Sequence, residues 1–90
     1  MPKFIIEREI PKAGNFDVKQ LKDISKKSRE VLCTLGTEIQ WIHSYVAGDK
    51  IYCIYIAPDE ATVLKHAEMG GFPANRISQV HSIIDPATSE

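Results

Sequence analysis

The side chains best suited to chemistry in this chain are three histidines, two cysteines and a pair of glutamates on one apolar stretch. His43 stands in Trp41-Ile42-His43-Ser44-Tyr45, among aromatic and aliphatic residues. Imidazole titrates near neutral pH and binds borderline metals such as nickel, copper and zinc. Glu7 lies in Phe4-Ile5-Ile6-Glu7-Arg8-Glu9 and could supply an oxygen ligand or orient His43. A carboxylate taken out of water needs a proton, a partner or a metal. His66, shortly before Gly70, could look toward the loop Met69-Gly70-Gly71-Phe72-Pro73, and His81 shares the strand parity of His43. Each has a plainer reading. His43 could be a satisfied or interface histidine, Glu7 a rim carboxylate, and His66 and His81 surface residues. No HExxH, GxSxG or CxxC is present, so a metal site would have to be assembled by the fold. Cys33 and Cys53 read as small buried hydrophobes, and Gly70-Gly71 as a helix stop rather than a phosphate loop.

Hydrophobic periodicity and turn residues give the elements that must position these groups. Residues 3–9 alternate as a strand closed by Pro11 and Gly14. Asp17 with Gln20 forms a capping-box pattern that starts a helix. Its stripe is Val18, Leu21, Ile24, Val31, Leu32 and Leu35, with Ser28 in one apolar slot and Gly36 as the stop. Residues 39–46 and 51–57 are β-branched and aromatic, joined at Gly48-Asp49 as a hairpin. Asp59 caps a second helix with Ala61, Val63, Leu64 and Ala67 inward, and residues 77–85 form the last strand before Pro86. The order β-α-β-β-α-β is the ferredoxin-like, split βαβ pattern. It predicts an α+β domain over 1–90, a four-stranded antiparallel sheet with two helices on one face.

Sheet parity then says what faces away from the helices. With Phe4 and Ile6 inward, Ile5, Glu7 and Glu9 point outward. Parity predicts Trp41, His43 and Tyr45 outward on the second strand, and Gln79, His81 and Ile83 outward on the last. The third strand depends on the turn. A two-residue Gly48-Asp49 turn pairs His43 with Ile54 and sends Tyr52, Ile54 and Ile56 outward; a three-residue loop pairs it with Tyr55 and sends Ile51, Cys53 and Tyr55 outward. The shorter turn is favoured because glycine suits its first position. Either way the uncovered face is partly apolar, which predicts a sheet-to-sheet homodimer, a dimeric α+β barrel.

Composition narrows the classes. A net charge of −1 gives no basic field for nucleic acid or an anionic membrane. No apolar run approaches the ~20 residues of a membrane span, and the opening residues do not read as a secretory leader, so a cytoplasmic location is expected.

The segments Phe4–Glu9 followed by Pro11, Trp41-Ile42-His43-Ser44-Tyr45-Val46, Tyr52-Cys53-Ile54-Tyr55-Ile56-Ala57-Pro58 and Gly71-Phe72-Pro73 resemble a bacterial family of small dimeric α+β-barrel proteins. That family was long classed as a domain of unknown function, and some members are described as nickel-binding. The resemblance implies possible binding of nickel or a similar divalent metal, with His43, Glu7 and His66 matching the pattern and His81 falling where relatives carry other residues. Two functions follow. One is a homodimer that buffers or sequesters the metal without catalysis. The other is a small oxygenase or isomerase with an aromatic substrate in the barrel and His43 as general base.

Overall fold

The computed structural model describes residues 1–35 and 39–89. Among the described residues the strands and α-helices run in the order β1 (Lys3–Glu9), α1 (Val18–Leu35), β2 (Gln40–Ala47), β3 (Lys50–Ile56), α2 (Glu60–Gly70) and β4 (Arg76–Val80). The strands form one sheet in the order β2-β3-β1-β4, and every neighbouring pair is antiparallel. This is the ferredoxin-like α+β architecture that the element order predicts. The core lies between the helices and the inner face of the sheet. Phe4, Ile6, Ile51, Cys53 and Tyr55 from the central strands meet Val63 there.

Local chemistry explains the boundaries. At the start of α1, Gln20 N–H donates to Asp17 Oδ1 at 2.8 Å and Asp17 N–H to Gln20 Oε1 at 2.9 Å, a reciprocal capping box. Ser28 is buried in the apolar stripe as expected, whereas Val18 at the helix start is 82% exposed. The Gly36 stop lies outside the described residues. Asp59 caps α2 by accepting from Thr62 N–H at 2.8 Å. Gly71, at φ 67°, ends it in the left-handed region, and Phe72 N–H closes on Ala67 O at 3.0 Å.

Four expectations are corrected. Cys33, read as a small buried hydrophobe, is exposed on α1, whereas Cys53 is buried. The buried stripe of α2 is Val63, His66, Ala67 and Gly70, while Leu64 is 43% exposed and Ala61 is exposed too. The spacing i, i+3, i+4, i+7 is helical, but a histidine and a glycine fill two of its places. On β2 the register slips between Trp41, opposite Tyr55, and His43, opposite Ile54. Ile42 is thus the extra residue of a bulge, and Trp41 turns to the helix side instead of sharing the face of His43. On β4, Ile77 pairs with Ile6 and Gln79 with Phe4, so these two share the inner face and Arg76, Ser78 and Val80 the outer one. The strand ends at Val80, opposite Lys3 where β1 begins, because β1 offers no further partner.

The hairpin follows the shorter turn. Ala47 pairs with Lys50 around Gly48-Asp49, Gly48 has φ 57°, and His43 lies opposite Ile54. Cys53 therefore belongs to the core and Tyr52, Ile54 and Ile56 to the outer face. The loop after β1 docks on this turn. Ile10 N–H donates to Asp49 O at 2.8 Å, Lys12 N–H to Asp49 Oδ1 at 2.8 Å and Gly14 N–H to Gly48 O. A Cβ on Gly14 would stand 3.0 Å from Gly48 N, so only glycine allows this approach without displacement.

Candidate functional site

Two places in the molecule gather polar groups. They lie on opposite sides of the sheet.

The outer face is built in rows across the strands. His43, Ile54, Ile5 and Ser78 form one row; Tyr45, Tyr52, Glu7 and Arg76 form the next. His43 is exposed, and its ring meets Tyr45 edge to face with centroids 4.9 Å apart. Glu7 lies between two cations, 3.7 Å from Lys50 Nζ and 3.8 Å from Arg76 Nε. Both contacts are solvent-exposed and long, so they hold the carboxylate weakly. His43 and Glu7 stand two strand spacings apart, ~10 Å across the sheet, with β3 between them.

The other two predicted ligands fall elsewhere. His66 is 0% exposed and lies on the helix side. Its Nε2 is 3.5 Å from Ser28 Oγ, and its ring packs against Tyr55 at 5.0 Å and Phe72 at 6.1 Å. The sheet separates it from His43. His81 is exposed and follows the end of β4, the sheet edge opposite β2. Three strand spacings, ~14 Å, therefore separate β4 from β2. One chain brings His43 and Glu7 to one face and does not bring His66 or His81 to them. Among the described residues, no group of three or more histidine, cysteine, aspartate or glutamate side chains converges on a point.

The inner polar cluster consists of Arg8, Ser28, Cys53, Tyr55 and His66. Parity sends Arg8 inward with Phe4 and Ile6, and it is 3% exposed. Its Nε donates to Cys53 Sγ at 3.3 Å and its Nη1 to Pro73 O at 2.6 Å. Burial, and then the Arg8 charge, push the His66 imidazole below its ordinary pKa, so it is neutral at pH 7. Burial first, then neighbouring Cys53, push the Tyr55 phenol up, so it stays protonated. Beside this cluster a cavity of about 180 Å³ opens between α1 and the inner faces of β1, β2 and β3. Trp41 lines it as a result of the bulge, with its Nε1–H donating to Ser44 Oγ at 2.9 Å. This cavity is not among the sites the sequence points to. The available signal was Arg8, a charged residue on the parity of Phe4 and Ile6.

Comparison with known proteins gives the family and the fold. A family model described as "Nickel responsive protein SCO4226-like" matches residues 4–80. The crystal structure of SCO4226 from Streptomyces coelicolor A3(2) matches with a TM-score of 0.75 at 18% identity, covering 91% of this chain and 99% of that one. At this identity the structural likeness speaks to the fold. No curated protein matches the chain.

Proposed function

The chain belongs to the SCO4226-like family of nickel-responsive proteins, and from that membership we propose that it is a cytoplasmic homodimer that binds nickel or a similar divalent ion, buffering or sequestering it rather than catalysing a reaction. The observation that carries this reading is the placement of His43. It is an exposed imidazole on the uncovered face of the sheet, with Glu7 in the neighbouring row. Nickel accepts imidazole nitrogen and carboxylate oxygen, in square-planar arrangement among others. One chain offers one such nitrogen on this face, with Glu7 and, at the end of β1, Glu9 as its carboxylates, which does not fill a coordination shell. A second copy packed sheet to sheet would double the set, with water in any open position. His66, buried behind the sheet, is not one of these ligands in the proposal, and His81 could join only through the partner copy.

The homodimer is supported by the rest of that face. Ile5, Ile54, Ile56, Tyr52 and Val80 flank the two polar residues, and Tyr45 is 59% exposed. Burying apolar surface of this kind is worth roughly 25 cal/mol per Å². Glu7 would exchange Lys50 and Arg76 for the metal, a small sacrifice for such exposed pairs.

The test uses tag-free protein stripped with chelator. Nickel is expected to raise Tm, because a ligand that binds only the folded state stabilises it. The rise should vanish in the His43→Ala, Glu7→Ala double variant. No rise in the parent, or an equal rise in the double variant, overturns the proposal.

A further inference from the structure

The cavity beneath α1 holds a charge that the metal-binding reading does not use. Arg8 lines it, is nearly fully buried, and carries a guanidinium that stays protonated in proteins. Its Nη2 is buried without a hydrogen-bond partner among the described residues. Among those residues no carboxylate lies within ion-pair distance of it; the ion pairs found are those of Glu7 on the other face. A buried charge with neither counter-ion nor full hydrogen bonding is costly. A second cation stands nearby. Arg8 Cζ lies 5.2 Å from the centre of the Phe72 ring and Lys27 Nζ 5.8 Å from the same centre. The remaining walls are largely apolar, with Leu21 and Ile24 from α1, Trp41 and Val46 from β2, and Ile51 from β3.

We propose that this cavity binds a small monocarboxylic acid. The carboxylate lies on the Arg8 guanidinium, and an aromatic or short aliphatic body packs against Trp41, Leu21 and Ile24. Apolar walls with one well-placed polar group are the usual form of a small-molecule pocket. Arg8 Nε and Nη1 already donate to Cys53 and Pro73, so the unpartnered Nη2 is the donor left for a charge-assisted bond to the carboxylate. Size agrees, since a cavity of ~150 Å³ in another protein holds benzene. The space here, about 180 Å³, admits a ring with a carboxylate attached. An inorganic anion would leave the apolar walls unfilled, and a neutral molecule would leave the Arg8 charge unanswered. The site is independent of the metal reading because His43 and Glu7 lie beyond the sheet.

The experiment titrates the full-length, tag-free chain with benzoate, phenylacetate and hexanoate, in the presence of chelator. Binding is read by calorimetry and by the emission of Trp41, the chain's single tryptophan. At least one acid should bind saturably and change that emission. Benzamide, the neutral analogue of benzoate, should bind at least ~10-fold more weakly, a modest fraction of a charge-assisted bond. Arg8→Met should remove the preference for the acid. Ser25→Phe, at the cavity wall on α1, should block binding while Trp41 stays the single tryptophan, and serves if Arg8→Met does not fold. The proposal is overturned if none of the acids binds, if benzamide binds as well as benzoate, or if Ser25→Phe binds like the parent.

Discussion

Replacing Gly14 with alanine tests whether the loop after β1 holds the hairpin that presents His43. The added Cβ would stand 3.0 Å from Gly48 N and 3.1 Å from Gly48 O. Both are backbone atoms, so neither can rotate aside, and the turn or the loop must retreat. The retreat strains the Gly14 N–H bond to Gly48 O and, beyond it, the two bonds to Asp49 from Ile10 and Lys12. At about 1 kcal/mol net per hydrogen bond, loss of one or two costs ~1–2 kcal/mol. Against this, alanine stiffens the unfolded chain and returns ~0.4–1 kcal/mol, because Gly14 is not among the positive-φ residues. The net is a destabilisation of ~0.5–1 kcal/mol. At 4–8 °C per kcal/mol for a domain of this size, Tm should fall by roughly 2–8 °C. Thermal and urea unfolding measure it. A variant as stable as the parent, or more stable, would show the entropy gain acting alone and refute the docking argument.

Other perturbations have equally definite outcomes. His66 is held below its ordinary pKa of 6.5, so the unfolded chain takes up a proton that the folded chain refuses. The stabilisation is complete above pH 6.5 and is lost as pH falls from there toward the folded value; urea titrations from pH 7.5 to 5 should show this slope, and His66→Gln should flatten it. Asp59 is held below its ordinary carboxylate pKa by the bonds from Thr62. Asp59→Ala should lower Tm, and the difference from the parent should shrink on acidification through the folded pKa. Ile54→Glu places a charge between Ile5 and His43 at the centre of the proposed dimer face. Light scattering should report a monomer with an unchanged circular dichroism spectrum, and a variant that remains dimeric would count against that face.

Most of the fold was legible because regular strands and capped helices follow simple periods. Parity held on β1, where pairing runs without interruption, and sent Glu7 outward; on β3 it left two registers open, and the favoured two-residue turn sent Ile54 outward and Cys53 inward. On β2 it held for His43 and Tyr45 and failed at Trp41, because a bulge leaves no sequence mark at Ile42, yet shifts Trp41 to the other side. It failed on β4, where Gln79 pairs with Phe4 on the inner face; the strand is also shorter than the apolar run Ile83-Ile84 suggests, because a strand needs a partner and β1 begins opposite Val80. The inner cluster was harder to see for a different reason. Arg8 and His66 occupy core positions, and polarity alone assigns such residues to the surface unless their face is fixed first. Of the predicted metal ligands, His43 and Glu7 share a face as parity required. The separation of His66 follows from the helix stripe, and that of His81 from the early end of β4.

In the proposed function a pair of chains shares a nickel site built on His43. The most direct measurement is calorimetric titration of nickel into tag-free, chelator-stripped protein, at a concentration where light scattering shows the dimer. Saturable binding with a fixed ratio of metal to dimer is expected, lost in His43→Ala while the fold is retained. Absence of saturable binding, or binding unchanged in His43→Ala, would contradict the proposal.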